Sequence, residues 1–281
     1  MRTQIPAGER TDLSADLSTR PIPITNLGGL AAFSKPQKPP RCKLPTVDMR
    51  ILAFTLISIV LATNVHAQES VSFPTDDGGV IFASVYGEGA KGLVLAHGGA
   101  IHNKESWTLQ ARELMAEGFH VLAIDFRGYG KSRGPGDSNP MDAPLHLDIL
   151  AAVRYLREHG AKDISIIGGS MGAGAAGDAS IASKPGEISC VVMLGGAPNG
   201  SAEKLTSASL YILARDDTSG DGPRLPWIRE QYERSPQPKK LVILDGAAHA
   251  QALFETKDGE RVLHEVTQFL SAHCTGTKPA H

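Results

Sequence analysis

Gly168, Gly169, Ser170, Met171 and Gly172 form a G-x-S-x-G pentamer. It follows the run Ile164-Ser165-Ile166-Ile167 and leads into the small residues Ala173-Gly174-Ala175-Ala176-Gly177. A strand that ends in such a turn and passes at once into a helix forces its serine into a strained corner with the hydroxyl exposed. Gly168 and Gly172 supply clearance, because glycine lets another backbone come close. The chemistry on offer is nucleophilic attack on a carbonyl. A serine hydroxyl attacks poorly at neutral pH. It needs a base within hydrogen-bond reach, an acid that holds the base in one tautomer, and donors for the oxyanion.

The expected base is His249. It lies in Asp245-Gly246-Ala247-Ala248-His249-Ala250, directly after the apolar run Leu241-Val242-Ile243-Leu244. That is the carboxyl end of the last predicted strand, where open parallel sheets build their sites. His97 and His102 are the rival bases, and His97 is read as a brace for its own loop. His120 begins a predicted strand, while His146, His159, His264 and His273 fall on or beside predicted helices. The expected acid is Asp217 or Asp216. Both follow Tyr211-Ile212-Leu213-Ala214-Arg215, and spacing alone does not choose between them. One oxyanion donor is the backbone N–H of Met171, at a helix start. The second comes from His97-Gly98-Gly99-Ala100, with Gly99 the expected donor.

Positioning these groups requires strands that all end on one side. The turn Asp76-Asp77-Gly78-Gly79 predicts a first hairpin between 71–74 and 80–86. Strand-like runs then fall at 92–96, 120–126, 163–168, 190–194, 210–214 and 241–244. They are short and continuously apolar, as parallel strands covered on both faces are. Helical stretches lie between them, at 104–117, 145–159, 171–181, 225–234 and 258–272. The alternation predicts an α/β protein with a mostly parallel central sheet and helices on both faces. Gly172-Ala173-Gly174-Ala175-Ala176-Gly177 matches a dinucleotide fingerprint in form. It falls inside a predicted helix and late in the sheet, so it is read as close helix–sheet packing.

These pieces together resemble the α/β-hydrolase superfamily, in particular compact bacterial esterases and dienelactone-hydrolase-like members. The resemblance rests on His97-Gly98-Gly99, the segment Asp125-Phe126-Arg127-Gly128-Tyr129-Gly130-Lys131-Ser132, the Ser170 pentamer, Ala214-Arg215-Asp216-Asp217 and Asp245-Gly246-Ala247-Ala248-His249. It covers 92–272. The order serine, acid, histidine is that of the family. Where the family carries a G-x-x-D turn, Ala214 takes the glycine place, which puts Asp217 in the acid's. The segment beginning at Asp125 is then a structural loop. The resemblance implies a serine hydrolase acting on small or medium carboxylic esters through an acyl-enzyme. The same machinery on an amide or peptide, and an inactive hydrolase fold used for binding, are the alternatives. About 11 residues separate Leu194 from Leu205, which leaves no room for a cap domain. The expected site is open, with walls from 101–106, 129–142, 198–204 and 217–227.

No cofactor is called for, and no Cys/His cluster has metal-ligand spacing. Residues 68–281 carry 20 Lys and Arg against 26 Asp and Glu, a formal net of −6 with no nucleic-acid footprint. Cys190 and Cys274 are the cysteines of that stretch, and whether they pair is left open. Residues 49–67 read as a secretory signal peptide: Met49-Arg50, an apolar run of about 12 residues too short to span a bilayer, and an exit at Val65-His66-Ala67. Residues 1–48 are then an over-extended gene start or a polar leader. The expected location is periplasmic or secreted, with no membrane span after cleavage. Intact-mass measurement of protein from its native host should give a chain beginning at Gln68. A cytoplasmic protein that keeps 49–67 would contradict this.

Overall fold

The computed structural model describes residues 68–274. The expected leader or over-extended start at 1–48, the expected signal at 49–67 and the last seven residues lie outside them. The sheet has eight strands. They are β1 (Glu69–Pro74), β2 (Val80–Tyr86), β3 (Lys91–Ala96), β4 (His120–Ile124), β5 (Asp163–Gly169), β6 (Cys190–Leu194), β7 (Ala208–Ala214) and β10 (Lys239–Leu244). Their order is β1-β2-β4-β3-β5-β6-β7-β10. β2 is antiparallel to both neighbours, and every other pairing is parallel. This is the expected mostly parallel sheet of an α/β protein. The reversal of order around β3 and β4 leaves β3 and β5 side by side, with Ala96 opposite Gly168. The loops that follow these two strands therefore leave the sheet together.

Alternation along each strand builds two cores. Val94, Ala96, Ile164, Ile166, Val191 and Met193 face one side, where α2 (His146–Glu158), α3 (Met171–Ala182) and α4 (Arg224–Arg234) pack. Leu93, Leu95, Ile167, Val192 and Leu194 face the other, under α1 (Thr108–Ala116) and α5 (Gly259–His273). Both faces are covered, so the strands carry no polar alternation. Each fully buried Leu, Ile or Val contributes about 1.5–3 kcal/mol. α3 has almost no side-chain bulk, and its glycines let it lie close to the sheet. The fingerprint-like glycines sit within this helix, as expected.

Some details differ from expectation. The stretch at 104–117 opens as a 3-10 turn, Lys104–Trp107, before α1 begins. A two-stranded ribbon, β8 (Thr218–Ser219) with β9 (Gly222–Pro223), had no sequence signal. Between β6 and β7 there is only a loop with the three-residue turn Ala202–Lys204, and no cap is inserted there. Cys190 and Cys274 are bonded across 84 residues, with Cα atoms 5.9 Å apart. The bond ties the end of α5 to the start of β6. Closing a loop of that length restricts the unfolded chain, so Cys274→Ser should lower stability by about 2–5 kcal/mol, read by urea unfolding. An unchanged midpoint would show that the bond contributes nothing.

Candidate active site

Ser170 sits between β5 and α3 with φ 52° and ψ −111°, a backbone conformation that side chains rarely adopt. Its N–H donates to Leu194 O at 2.8 Å, which locks the corner to β6. A Cβ on Gly172 would strike the carbonyl oxygens of Ala96 and His97, so only glycine allows this helix start so near β3. Two other non-glycine residues among those described have positive φ, Ala100 and Ala250. Ala100 follows Gly99, and Ala250 follows His249. Such residues store roughly 1–3 kcal/mol each and persist where surrounding structure holds them. All three lie in the loops that meet here.

The structure brings Ser170, His249 and Asp217 into one chain of hydrogen bonds. His249 Nε2 is 2.8 Å from Ser170 Oγ, and His249 Nδ1 is 2.8 Å from Asp217 Oδ2. The Asp217 side chain is 1 % exposed and that of His249 36 %. Asp216 is exposed and points away from this chain; its backbone N–H donates to Gly246 O at 2.9 Å. The second Asp217 oxygen, Oδ1, has no hydrogen bond and faces Arg224 Nε at 3.5 Å. Gly195, at φ 61°, leaves room for the imidazole: a Cβ there would lie 2.9 Å from His249 Nδ1. Neither Arg224 nor Gly195 was singled out from the sequence. The glycine pair that ends β6 was the only available signal.

The expected oxyanion donors belong to two neighbouring segments, the start of α3 and the loop after β3. Met171 begins α3, so its N–H has no acceptor within the helix. Gly99 approaches Met171, with the Met171 sulfur 3.7 Å from where a Gly99 Cβ would stand. The Gly98 N–H is already committed, donating to Gln251 Oε1 at 3.1 Å. Gln251 also went unnoticed in the sequence, where a lone amide in Ala250-Gln251-Ala252-Leu253 was the sole clue.

A cavity of about 320 Å³ opens at Ser170. Its walls include Met141, His146, Asn199, Asp221, Arg224 and Trp227. A second hollow of about 330 Å³ shares Ser219, Asp221, Arg224 and Trp227 with it, so the cleft continues past the β8–β9 ribbon. The expected walls are corrected in two places. The 101–106 segment does not line the cavity, because Lys104 N–H and Nζ bond Asp125 at 2.8 and 2.7 Å and fold that segment against the β4 loop. Of 129–142 only Met141 reaches it. Arg127, fully buried, joins Asp148 and Asp77 and pins the rest of that loop to the body of the protein. Among the described residues no cluster of three or more His, Cys, Asp or Glu is placed to hold a metal.

His97 is a brace, as its loop position suggests. Its Nε2 accepts from Phe126 N–H at 3.2 Å and its Nδ1 lies 2.5 Å from Gly98 O, so the ring is neutral with its proton on Nδ1. Burial, opposed by the Gly98 carbonyl and Asp125, pushes its pKa down to about 4. An unfolded histidine titrates near 6.5, so the unfolded chain binds more protons between pH 6.5 and 4. Stability should therefore fall as pH drops through that window. His97→Gln, whose amide oxygen can still accept from Phe126, should show a shallower loss from pH 7 to 4.5 in urea unfolding. Equal slopes would show that His97 does not govern this loss.

A family profile described as alpha/beta hydrolase fold matches residues 92–242. The chain is 34 % identical over 100 residues to a bifunctional esterase/perhydrolase of Acinetobacter calcoaceticus, covering 36 % of this chain and 35 % of that protein. It is 30 % identical over 122 residues to a non-heme haloperoxidase of Rhodococcus erythropolis, covering 43 % and 42 %. The matched stretches thus span less than half the length of these relatives. Among solved structures, an esterase of Pyrococcus furiosus superposes with a TM-score of 0.59 at 21 % identity, covering 74 % of this chain and 91 % of that one. A dienelactone hydrolase of Anabaena variabilis gives 0.57 at 19 %, covering 74 % and 98 %. At such identities the structural likeness speaks for the fold alone. The profile match, over more than half of the chain, establishes that this protein belongs to the alpha/beta hydrolase fold family.

Proposed function

We propose that the protein is a serine hydrolase that cleaves small to medium carboxylic esters through an acyl-enzyme. The observation that carries this reading is the continuous hydrogen-bonded path from Ser170 Oγ through His249 to Asp217. Ser170 Oγ attacks the ester carbonyl while His249 Nε2 takes its proton. Asp217, buried and acceptor-only, holds the Nδ1 proton and offsets the charge of the imidazolium. The N–H groups of Met171 and Gly99 receive the oxyanion. Collapse breaks the bond to the leaving oxygen, and His249 returns the proton to the departing alcohol. Water then attacks the acyl-enzyme by the same route and frees the acid and Ser170.

A cavity near 320 Å³ with no cap between β6 and β7 suits short or medium acyl groups rather than long chains. The esterase/perhydrolase among the relatives supports an ester reading. The disulfide supports the exported location, since such bonds persist in oxidising compartments. p-Nitrophenyl esters of graded chain length, run beside aminoacyl anilides, test the substrate class. Short esters should be cleaved fastest, and a preference for anilides would move the assignment to amides.

A fluorophosphonate probe should label the wild-type protein once and leave folded Ser170→Ala unlabelled. Stoichiometric labelling of that variant would place the nucleophile elsewhere. Asp217→Asn should cut kcat by about 10³-fold or more, since the imidazole would be held in the wrong tautomer. Asp216→Asn should stay close to wild type. The reverse order of these two losses would reassign the acid.

A further inference from the structure

The loop that follows β3 carries Gly99, and it is fastened by a side chain from another part of the chain. Gln251 belongs to the 3-10 turn Ala250–Glu255, two residues after His249, and is 6 % exposed. Its Oε1 accepts from Gly98 N–H at 3.1 Å. Its Nε2 donates to Ser106 Oγ at 2.9 Å. Ser106 Oγ in turn donates to Asn103 O at 2.6 Å, which leaves its lone pairs for the amide. One amide therefore grips the loop at both ends, at 98 and at 106, with Gly99 and the strained Ala100 held between. The same amide packs on the end of the nucleophile strand: a Cβ on Gly169 would come within 2.5 Å of Gln251 Oε1.

We propose that Gln251 is a positioning residue that sets the Gly99 N–H toward Ser170 and joins the histidine loop to the oxyanion loop. This rests on the serine-hydrolase reading above. By taking up the Gly98 N–H, the amide fixes the 97–98 peptide plane, one unit before the plane of the Gly99 N–H, whose Gly98 carbonyl accepts from His97 Nδ1. By occupying Ser106, it stops the far end of the loop from swinging. A donor that must meet an oxyanion within a few tenths of an ångström gains from such a hold, since it needs no rearrangement during the reaction. Gln251 touches no reacting atom. Its effect is to be seen in the transition state and not in ground-state binding.

The test uses the full protein with Gln251→Met, near-isosteric and without hydrogen bonds, and Ser106→Ala, which removes one end of the grip. On a short p-nitrophenyl ester, Gln251→Met should lose about 10- to 100-fold in kcat with KM nearly unchanged, and Ser106→Ala should lose less in the same direction. Affinity for a boronic acid, which mimics the tetrahedral oxyanion, should fall alongside kcat. Amide hydrogen exchange should accelerate in 98–106 and stay unchanged in β5 and β6. Wild-type labelling by fluorophosphonate reports separately on the parent reading, and the exchange measurement needs no turnover. A Gln251→Met protein with wild-type kcat, or with unaltered exchange in 98–106, would overturn the proposal. Should that variant not fold, the same criteria apply to Ser106→Ala, which removes a single hydroxyl from the half-buried 3-10 turn Lys104–Trp107.

Discussion

The strained corner at Ser170 is the constraint on which the other parts of this site depend. A serine at φ 52° between a strand and a helix is tolerated only if the helix can start against the neighbouring strand. That demands glycine at 172, because the Ala96 and His97 carbonyls lie where a Cβ would go. The same closeness demands the small-residue character of α3. The helix that begins there leaves its first N–H groups without acceptors in the helix, the property the proposed oxyanion role of Met171 draws on. Strain is maintained from the sides: Ser170 N–H is held by β6, and β6 is held in turn by the disulfide at Cys190.

Around that corner the sheet topology does the assembly. β3 and β5 lie side by side, so the glycine loop after β3 arrives beside Ser170. β7 and β10 are parallel neighbours, with Leu244 opposite Ala214, so Asp217 and His249 leave the sheet three and five residues beyond a matched pair. Parallel pairing delivers all these loops to one edge. The polar groups there are then sorted by burial. Asp217 is enclosed and faces His249 on one oxygen and Arg224 on the other, while His249 retains enough exposure to meet a substrate.

Much of this was legible from residues alone. The pentamer, the apolar runs and the histidine after the last run are local signals, and each depends on spacing within a few residues. Asp217 and Asp216 could not be separated by spacing, because adjacent residues differ only in which way the turn points them. In the fold Asp216 is exposed while Asp217 is buried and bonded to His249 Nδ1, a difference that arises from the turn and not from spacing. The cavity walls were misjudged for a related reason. Pairs such as Lys104 with Asp125 and Arg127 with Asp148 hold most of their segments off the cavity wall, and those pairs span 21 residues each. Gln251 and Gly195 are invisible to periodicity, since their importance comes from what they touch across the fold.

In the proposed reaction Ser170 carries the acyl group between two half-reactions. Mixing the protein with a short p-nitrophenyl ester, quenching in acid within the first turnovers and mapping the peptides by mass tests it most directly. An acyl adduct should appear on the peptide containing Ser170 and be lost when the quench is delayed past substrate exhaustion. An adduct on another residue, or turnover in Ser170→Ala at the wild-type rate, would contradict it.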